Sequence, residues 1–390
     1  MRRGPPPQSR ACDPQGVAVL GHLETWHPLL AQLAIRNADG VSRAALAGGG
    51  GLATLLKQSE EQGVAYAVAS ELLARDWRPL LGPEDAAAVR RVQEAAVRHD
   101  LVWERGARDG LAVFPGHVRP ILLKGGGGRF VIYDEPVARA AVDLDLMVPR
   151  GSKASIRSGL EAAGWRDEKR SQSTRWHVHA FYRPAPLGTM SLEFHQTLDN
   201  PERGAIDYET LAPHCSELEV LGRVCLVPNP AAQLLVGATH ALRHGLNVPL
   251  KSLVDVHRTM QICLRAGDQR WDGDPREDPV ARVGLLLEEN PGVAATMGVM
   301  LRLSQVLFQT PVPQSWRQAL APPRTTAPLL SLSLDPQVPG YARGPFTRSE
   351  HLRRLWFQAL LTGSPITMAL VGWGWFLRRW DRRTGSRPGR

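Results

Sequence analysis

The sequence predicts an α+β fold, a small mixed-sheet core set between N-terminal and C-terminal helical regions. Three observations predict it. Two short apolar runs of strand length, "RPILLKG" and "AAVDLDLMV", and two alternating runs, "WHVHAFYR" and "TMSLEFHQ", fall together between about residues 119 and 196. On either side of them apolar residues recur at helical spacing. Glycine and proline breaks divide the strand-like runs and leave room for one helix in each of the first two gaps.

Taken in order, residues 1–16, "MRRGPPPQSRACDPQG", are basic and proline-rich with no apolar stretch behind them, which reads as a disordered tail rather than a secretory signal. Residues 17–116 read as helical, with Val89, Val92, Ala96 and Val97 on one stripe and arginines opposite. The α/β core spans 117–204. Within it "GGGRFVIYDEP" is expected to form a two-turn helix opened by glycine and stopped before Pro136. "GSKASIRSGLEAAG" is expected to form a second helix, with Ser152 as N-cap and Gly164 as stop. Residues 205–345 are expected to be helical again: Asn229 and Pro230 make a cap and first-turn pair, and Leu253, Val256, Met260 and Cys263 share a face. Asp272–Pro279 and "APPRTTAP" read as surface loops.

Residues 346–390 form a C-terminal end with a basic tail. Its 355–377 stretch holds 23 uncharged residues between arginine pairs, long enough for a bilayer, but "TGSP" reads as a turn with a fresh N-cap. A helical hairpin packed on the core is the leading expectation. Membrane-surface contact through Trp373, Trp375, Trp380 and the arginines comes next.

The formal charge of +9 comes almost wholly from arginine, since Lys57, Lys124, Lys153, Lys169 and Lys251 are the lysines. With the alanine, glycine and proline excess it reads as GC-rich bacterial coding rather than as a polyanion surface, so nucleic acid is not expected as a partner. Four cysteines with no C-x-x-C pair exclude a disulfide framework and a zinc ribbon and fit a reducing cytoplasm.

The chemistry concentrates in "VDLDLMV". On a strand, Asp143 and Asp145 share a face roughly 7 Å apart, with Leu144 and Leu146 on the other. Two carboxylates so placed repel each other unless a cation lies between them, and magnesium suits a few carboxylates plus substrate phosphates. Glu193 in "TMSLEFHQ" can join them, because Leu192 and Phe194 would turn to the core. Three carboxylates on magnesium are an arrangement that holds a nucleoside triphosphate and activates an attacking hydroxyl. The run Gly125 to Gly128 after "ILLK" would then hold the triphosphate through its amides, with Lys124 adding positive charge or simply ending the strand in solvent. Neutralising either aspartate should leave the fold intact, since the two repel.

"LLKGGGGRFVIYDEPVARAAVDLDLMV", an "L-x-x-A-G-W" helix end, the "HVH" strand and "LEFHQTL" together resemble the uncharacterised nucleotidyltransferase family of the polymerase-β-like superfamily, over about Ile121 to Leu198. A weaker echo runs through "THALRHGLNVPLKSLVDVHRTM". The resemblance implies a nucleotidyltransferase-like core and an enzyme that moves a nucleotidyl group from a nucleoside triphosphate to an unidentified acceptor. It implies Asp143, Asp145 and Glu193 as catalytic and metal-binding residues, with Gly125 and Gly126 as the glycine signature. Lys124 and Arg139 stand with them as nucleotide-binding candidates. A serine common after the first glycine of that signature is replaced here by glycine, which leaves phosphate contacts to the backbone.

Two other classes compete: a non-catalytic nucleotide-binding or scaffold protein of the same fold, and a zinc hydrolase built on His177, His179 and His195. His240, His244 and Asp255 fall on helices as packing or substrate-facing residues, and Arg139 could orient a carboxylate or a phosphate or be an exposed charge.

Overall fold

The computed structural model describes residues 30–35, 51–74, 77–167, 179–186, 188–198, 206–244, 246, 248–268, 287–288, 290–320 and 361. The expected N-terminal tail, the two surface loops, His177 and, apart from Leu361, the C-terminal hairpin lie outside the described residues. Among those described, no helix is long and apolar enough to cross a membrane.

In chain order the helices are α1 (Leu30–Ala34), α2 (Gly51–Glu61), α3 (Ala65–Leu72), α4 (Pro83–Ala112), α5 (Lys124–Gly128), α6 (Lys153–Ala162), α7 (Tyr208–Leu211), α8 (Pro230–Arg243), α9 (Leu250–Asp268), α10 (Pro291–Phe308) and α11 (Gln314–Ala319). The strands are β1 (Ile121–Leu122), β2 (Asp143–Met147), β3 (Arg166–Asp167), β4 (His179–Ala185), β5 (Gly188–His195), β6 (Cys215–Val220) and β7 (Arg223–Pro228). They form one mixed sheet in the order β3-β4-β5-β2-β1-β7-β6. β2 at its centre runs parallel to β5 and antiparallel to β1.

Strand alternation sorts the side chains between two cores. Leu122, Leu144, Leu146, Leu192 and Phe194 turn to one face and pack with Trp103, Ala107 and Leu111 of α4 and Ile156 and Leu160 of α6. Ile121, Leu123 and Met147 join the core built by α8, α9 and α10 together with α1–α3. The polar residues of β2 and β5 therefore meet the helical bundle, and the site lies at that junction.

α4 starts on Pro83 with Glu84 and Asp85 in its first turn, a favoured N-terminus. Of the stripe read from the sequence Val89 is buried, whereas Val92, Ala96 and Val97 are only half-buried. The tight packing comes later, at Gly106 and Gly110, where an added Cβ would come within 2.7 Å of Met190 and Leu192 respectively. Two glycines four residues apart let the helix lie directly on β5.

The structure differs from the sequence reading in four places. The two-turn helix expected in "GGGRFVIYDEP" is the single turn α5, which begins at Lys124; four glycines each weaken a helix by about 1 kcal/mol relative to alanine, and the chain leaves it directly afterwards. Arg129 at its end is wholly buried, stacked 4.6 Å from the Trp103 ring and paired with Asp100, so it ties the turn to α4. Ser152 stands at the N-cap of α6, but its hydroxyl donates to the Pro149 carbonyl (2.8 Å) instead of capping. The sheet also runs on past residue 204: Cys215–Val220 and Arg223–Pro228, expected to be helical, form a hairpin about Leu221 and Gly222 (φ +53° and +82°), and β7 pairs parallel with β1. Finally, a short strand, β3, pairs with β4 where none was expected.

Elsewhere the local reading agrees. Asn229 caps α8 by accepting from the Ala232 amide (2.9 Å), Gly164 ends α6 at φ +82°, and Leu253, Val256 and Met260 are buried on α9. Among the described residues Cys215, Cys225 and Cys263 form no disulfide.

Candidate active site

β2, the central strand, is paired on both sides and carries the two aspartates. Trp103 Nε1 on α4 donates to the Asp143 carbonyl (3.1 Å), and the Leu123 amide donates to the Asp145 carbonyl (3.0 Å). The parallel register sets Asp145 opposite Glu193 and Met147 opposite His195. Ligand atoms of Asp145, Glu193 and His195 lie within 4.8 Å of one another. Asp143 stands two residues before Asp145, close enough for the two charges to act on each other.

The two aspartates differ in electrostatics. Burial and the neighbouring Asp145 charge push the Asp143 carboxyl above its usual range, against the pull of Lys124 and Lys251. Asp145 is only 3% exposed, and burial alone would raise its pKa too. The Lys124 ammonium at 2.7 Å and His195 Nε2 at 2.6 Å outweigh that and hold it well below the ordinary carboxylate range. Because Asp145 stays ionised, the proton in its bond to His195 resides on Nε2, and burial keeps the imidazole below its ordinary pKa.

Lys124 reaches Asp145 from an uncommon backbone conformation, φ +49°, at the junction of β1 and α5. A left-handed non-glycine residue costs roughly 1–2 kcal/mol, so the neighbouring structure must hold it in place. The amides of Gly126 and Gly127 donate to the Leu123 carbonyl (3.1 and 3.4 Å), so the four-glycine phosphate cradle expected from the sequence narrows to the amides of Lys124 and Gly125. The glycines answer to packing as well. A Cβ on Gly126 would lie 2.8 Å from Leu144 Cδ1, one on Gly127 2.4 Å from the Leu122 carbonyl oxygen, and one on Gly125 2.9 Å from the Arg139 guanidinium.

Arg139 is buried and makes Nε bonds of 2.8 Å to both oxygens of Asp255 on α9, while Tyr133 donates its hydroxyl to the same carboxylate (2.6 Å). It is therefore a bridge between the sheet and the bundle rather than an exposed charge, bonded to Asp255 and acting on Asp143 only through space. Burial works against the Arg139 charge, but Asp255 more than restores it and raises its pKa.

A cleft of about 260 Å³ opens between the sheet and the bundle. Lys124, Gly125, Gly126, Arg139, Asp143 and Asp145 line one wall, and His240 of α8 with Lys251 and Asp255 of α9 line the other. Six of the seven residues singled out from the sequence thus share one cleft, and the seventh, Glu193, pairs with Asp145 in the sheet behind it. His195, Tyr133 and Lys251 were not assigned to this site by the sequence. For His195 the signal was present, two residues after Glu193 and so on the same face. For Lys251 there was none.

Asp145, Glu193 and His195 form a group that could hold a metal ion; with His195 Nε2 engaged by Asp145, the carboxylate oxygens suit a hard divalent cation. Burial and the charges of Asp145 and Asp143 raise the Glu193 pKa to about 7 in the metal-free protein. Between pH 4.5 and 7 the folded chain then holds a proton at Glu193 that the unfolded chain lacks, so this residue lowers stability as pH rises through that window. Metal uptake should expel the proton. Calorimetry in two buffers of different ionisation enthalpy should record release of close to one proton at pH 6 and almost none at pH 9; equal release at both would remove Glu193 from the metal site.

The profile of a family described as "uncharacterised nucleotidyltransferase" matches residues 51–273, more than half of the chain. A search of curated proteins finds no match. Among solved structures, the chain is similar to the solution structure of antibiotic-resistance factor ANT(2'')-Ia, at 13% identity over 54% of this chain and 97% of the other, TM-score 0.27. It is also similar to the crystal structure of an antigenic nucleotidyltransferase-like protein from Paracoccidioides brasiliensis, at 14% identity over 51% and 91%, TM-score 0.30. At these scores neither carries an activity over to this chain. The matched span takes in β1 with its glycine turn, β2 and β5 with their carboxylates, and the α8 and α9 walls of the cleft, and by that match the chain belongs to the uncharacterised nucleotidyltransferase family.

Proposed function

We propose that the protein is a magnesium-dependent nucleotidyltransferase that moves a nucleotidyl group from a nucleoside triphosphate to an acceptor hydroxyl. The observation that carries this reading is the register of β2 on β5, which brings Glu193 beside Asp145, while Asp143 and Asp145 line a cleft that also holds Lys124, Arg139 and Lys251. Clustered carboxylates are costly without a cation, and a scaffold has no need of them. Asp143, Asp145 and Glu193 would hold magnesium, which supplies charge neutralisation at the phosphates and acidifies a nearby hydroxyl.

The chain's own residues do the rest. His195 fixes the orientation of Asp145, and Lys124 offsets the carboxylate charge until substrate arrives. Glu193, its own proton expelled once the metal is held, would accept the acceptor's proton. As the acceptor oxygen bonds to the α-phosphorus, the bond to the β-phosphate oxygen breaks and pyrophosphate leaves. Arg139, anchored on Asp255 and on the Ala140 carbonyl (2.6 Å), lines the cleft wall. The test is an incubation with magnesium, a cell extract and each α-labelled triphosphate in turn. Label should pass to a discrete extract component and EDTA should stop it; a protein that binds triphosphates yet labels nothing would be the non-catalytic nucleotide-binding form instead.

A further inference from the structure

Of the cations lining the cleft, Lys124 is paired with Asp145 and Arg139 with Asp255. Lys251 differs. Among the described residues its ammonium makes no ion pair, and its one hydrogen bond, to the Ala140 carbonyl, is long at 3.4 Å. An ammonium has three donors, and leaving them unmet away from bulk water is unfavourable.

The protein nevertheless builds a slot for this side chain. Gln62, just beyond α2, accepts the Lys251 amide with its carbonyl (3.2 Å) and the Leu250 amide with its side-chain oxygen (3.0 Å), which fixes the start of α9. Gly63, at φ +69°, leaves open the space that the lysine stem fills: a Cβ there would lie 2.5 Å from Lys251 Cδ. One turn, 188 residues from α9 in sequence, thus guides into the cleft a cation with no ion pair among the described residues. It faces Asp143 across the cleft, near enough for the charges to act on each other but without contact.

We propose that Lys251 is the receptor for the terminal phosphates of the triphosphate, the end away from the carboxylates. This rests on the nucleotide reading above. An anion that satisfies both walls must be held by the carboxylate side through metal and still carry charge at the α9 side. A polyphosphate chain, charged at every phosphate, meets that requirement. Burial, and after it the Arg139 charge, lower the Lys251 pKa to about 8, the same deficit of partners seen in the geometry; an incoming phosphate relieves it.

Inorganic tripolyphosphate isolates the claim from the unknown base. With magnesium present, calorimetry should show wild-type protein binding tripolyphosphate, Lys251→Met binding it at least tenfold more weakly, and the weak binding of nucleoside monophosphates unchanged. Lys251→Met should also unfold at the same or a higher temperature, since it removes an unpaired charge; a lysine with a merely structural role would lose stability instead. Gly63→Ala, which closes the slot from another element, should weaken tripolyphosphate in the same direction and add little to Lys251→Met in the double variant. This variant carries the test if Lys251→Met does not fold. Wild-type tripolyphosphate affinity in a folded Lys251→Met protein would overturn the assignment and leave the nucleotide reading intact. If wild-type protein binds neither tripolyphosphate nor any of the four ribonucleoside triphosphates, both fall together.

Discussion

Asp143→Asn and Asp145→Asn should both abolish nucleotidyl transfer, yet shift stability in opposite directions. Each removes a carboxylate proposed to hold magnesium, and loss of charge neutralisation at the reacting phosphate is among the largest single deficits a site can suffer, about 3–4 kcal/mol or more in the barrier. Stability divides them. Asp143 is held above its normal pKa by burial and by Asp145, so its ionised form is disfavoured in the fold and the amide should stabilise the metal-free protein at pH 7 and above. Asp145 is held below its normal pKa by Lys124 and His195, so its charge stabilises the fold at neutral pH and is lost only as pH falls through the acid range. Asp145→Asn leaves the Lys124 ammonium without its partner in a half-buried position, and breaking such a pair typically costs about 3–5 kcal/mol. The repulsion read from the D-x-D spacing is thus real for one aspartate and outweighed for the other. Urea unfolding of the two metal-free variants at pH 7.5, beside their transfer rates, tests this; equal stability changes would mean that Lys124 does not pair with Asp145 in solution.

Glu193→Gln should separate binding from chemistry. Lys124, Arg139, the two aspartates and the cleft walls remain, so triphosphate affinity should stay within a few-fold of wild type. The group placed to receive the acceptor's proton is gone, and losing a positioned acid–base residue typically lowers the rate by about two to four orders of magnitude. The deficit should appear in kcat rather than in the nucleotide KM, because it acts in the transition state. The same variant should remove the fall in metal-free stability between pH 4.5 and 7. A Glu193→Gln protein that transfers at the normal rate would make Glu193 a polar residue on a half-buried strand.

The parts of this site that sequence makes legible are those governed by short periods. Strand alternation alone puts Asp143 with Asp145 and, separately, Glu193 with His195, and turns Leu144, Leu146, Leu192 and Phe194 to the core, as the structure has them. That Asp145 lies beside Glu193 is a different matter. It depends on β5 crossing over to run parallel with β2 in one register of several, and long-range pairing leaves no local mark. The hairpin Cys215–Pro228 alternates well enough to be read, but it lies between helical patterns and turns on Leu-Gly rather than on a strong hairpin pair such as Asn-Gly.

The glycine run shows how a correct residue can be given an incomplete reason. It was read as bare backbone for phosphate. In the fold Gly126 and Gly127 yield to Leu144 and to the β1 backbone, and their amides are already paired. Arg139 and Asp255, 116 residues apart, and Lys251 with Gly63 are joined only by the packing of the bundle on the sheet. Nothing in either local sequence announces such a contact.

Two labels on one substrate separate nucleotidyl from phosphoryl transfer. Wild-type protein, magnesium, the accepting fraction of a cell extract and the preferred triphosphate are combined, once labelled at the α-phosphate and once at the γ-phosphate. α-Label should appear on the acceptor and γ-label in pyrophosphate, in equal amounts, with neither product formed by Asp143→Asn or in EDTA. Transfer of γ-label to the acceptor, or α-label transfer that persists in folded Asp143→Asn, would contradict nucleotidyl transfer at this site.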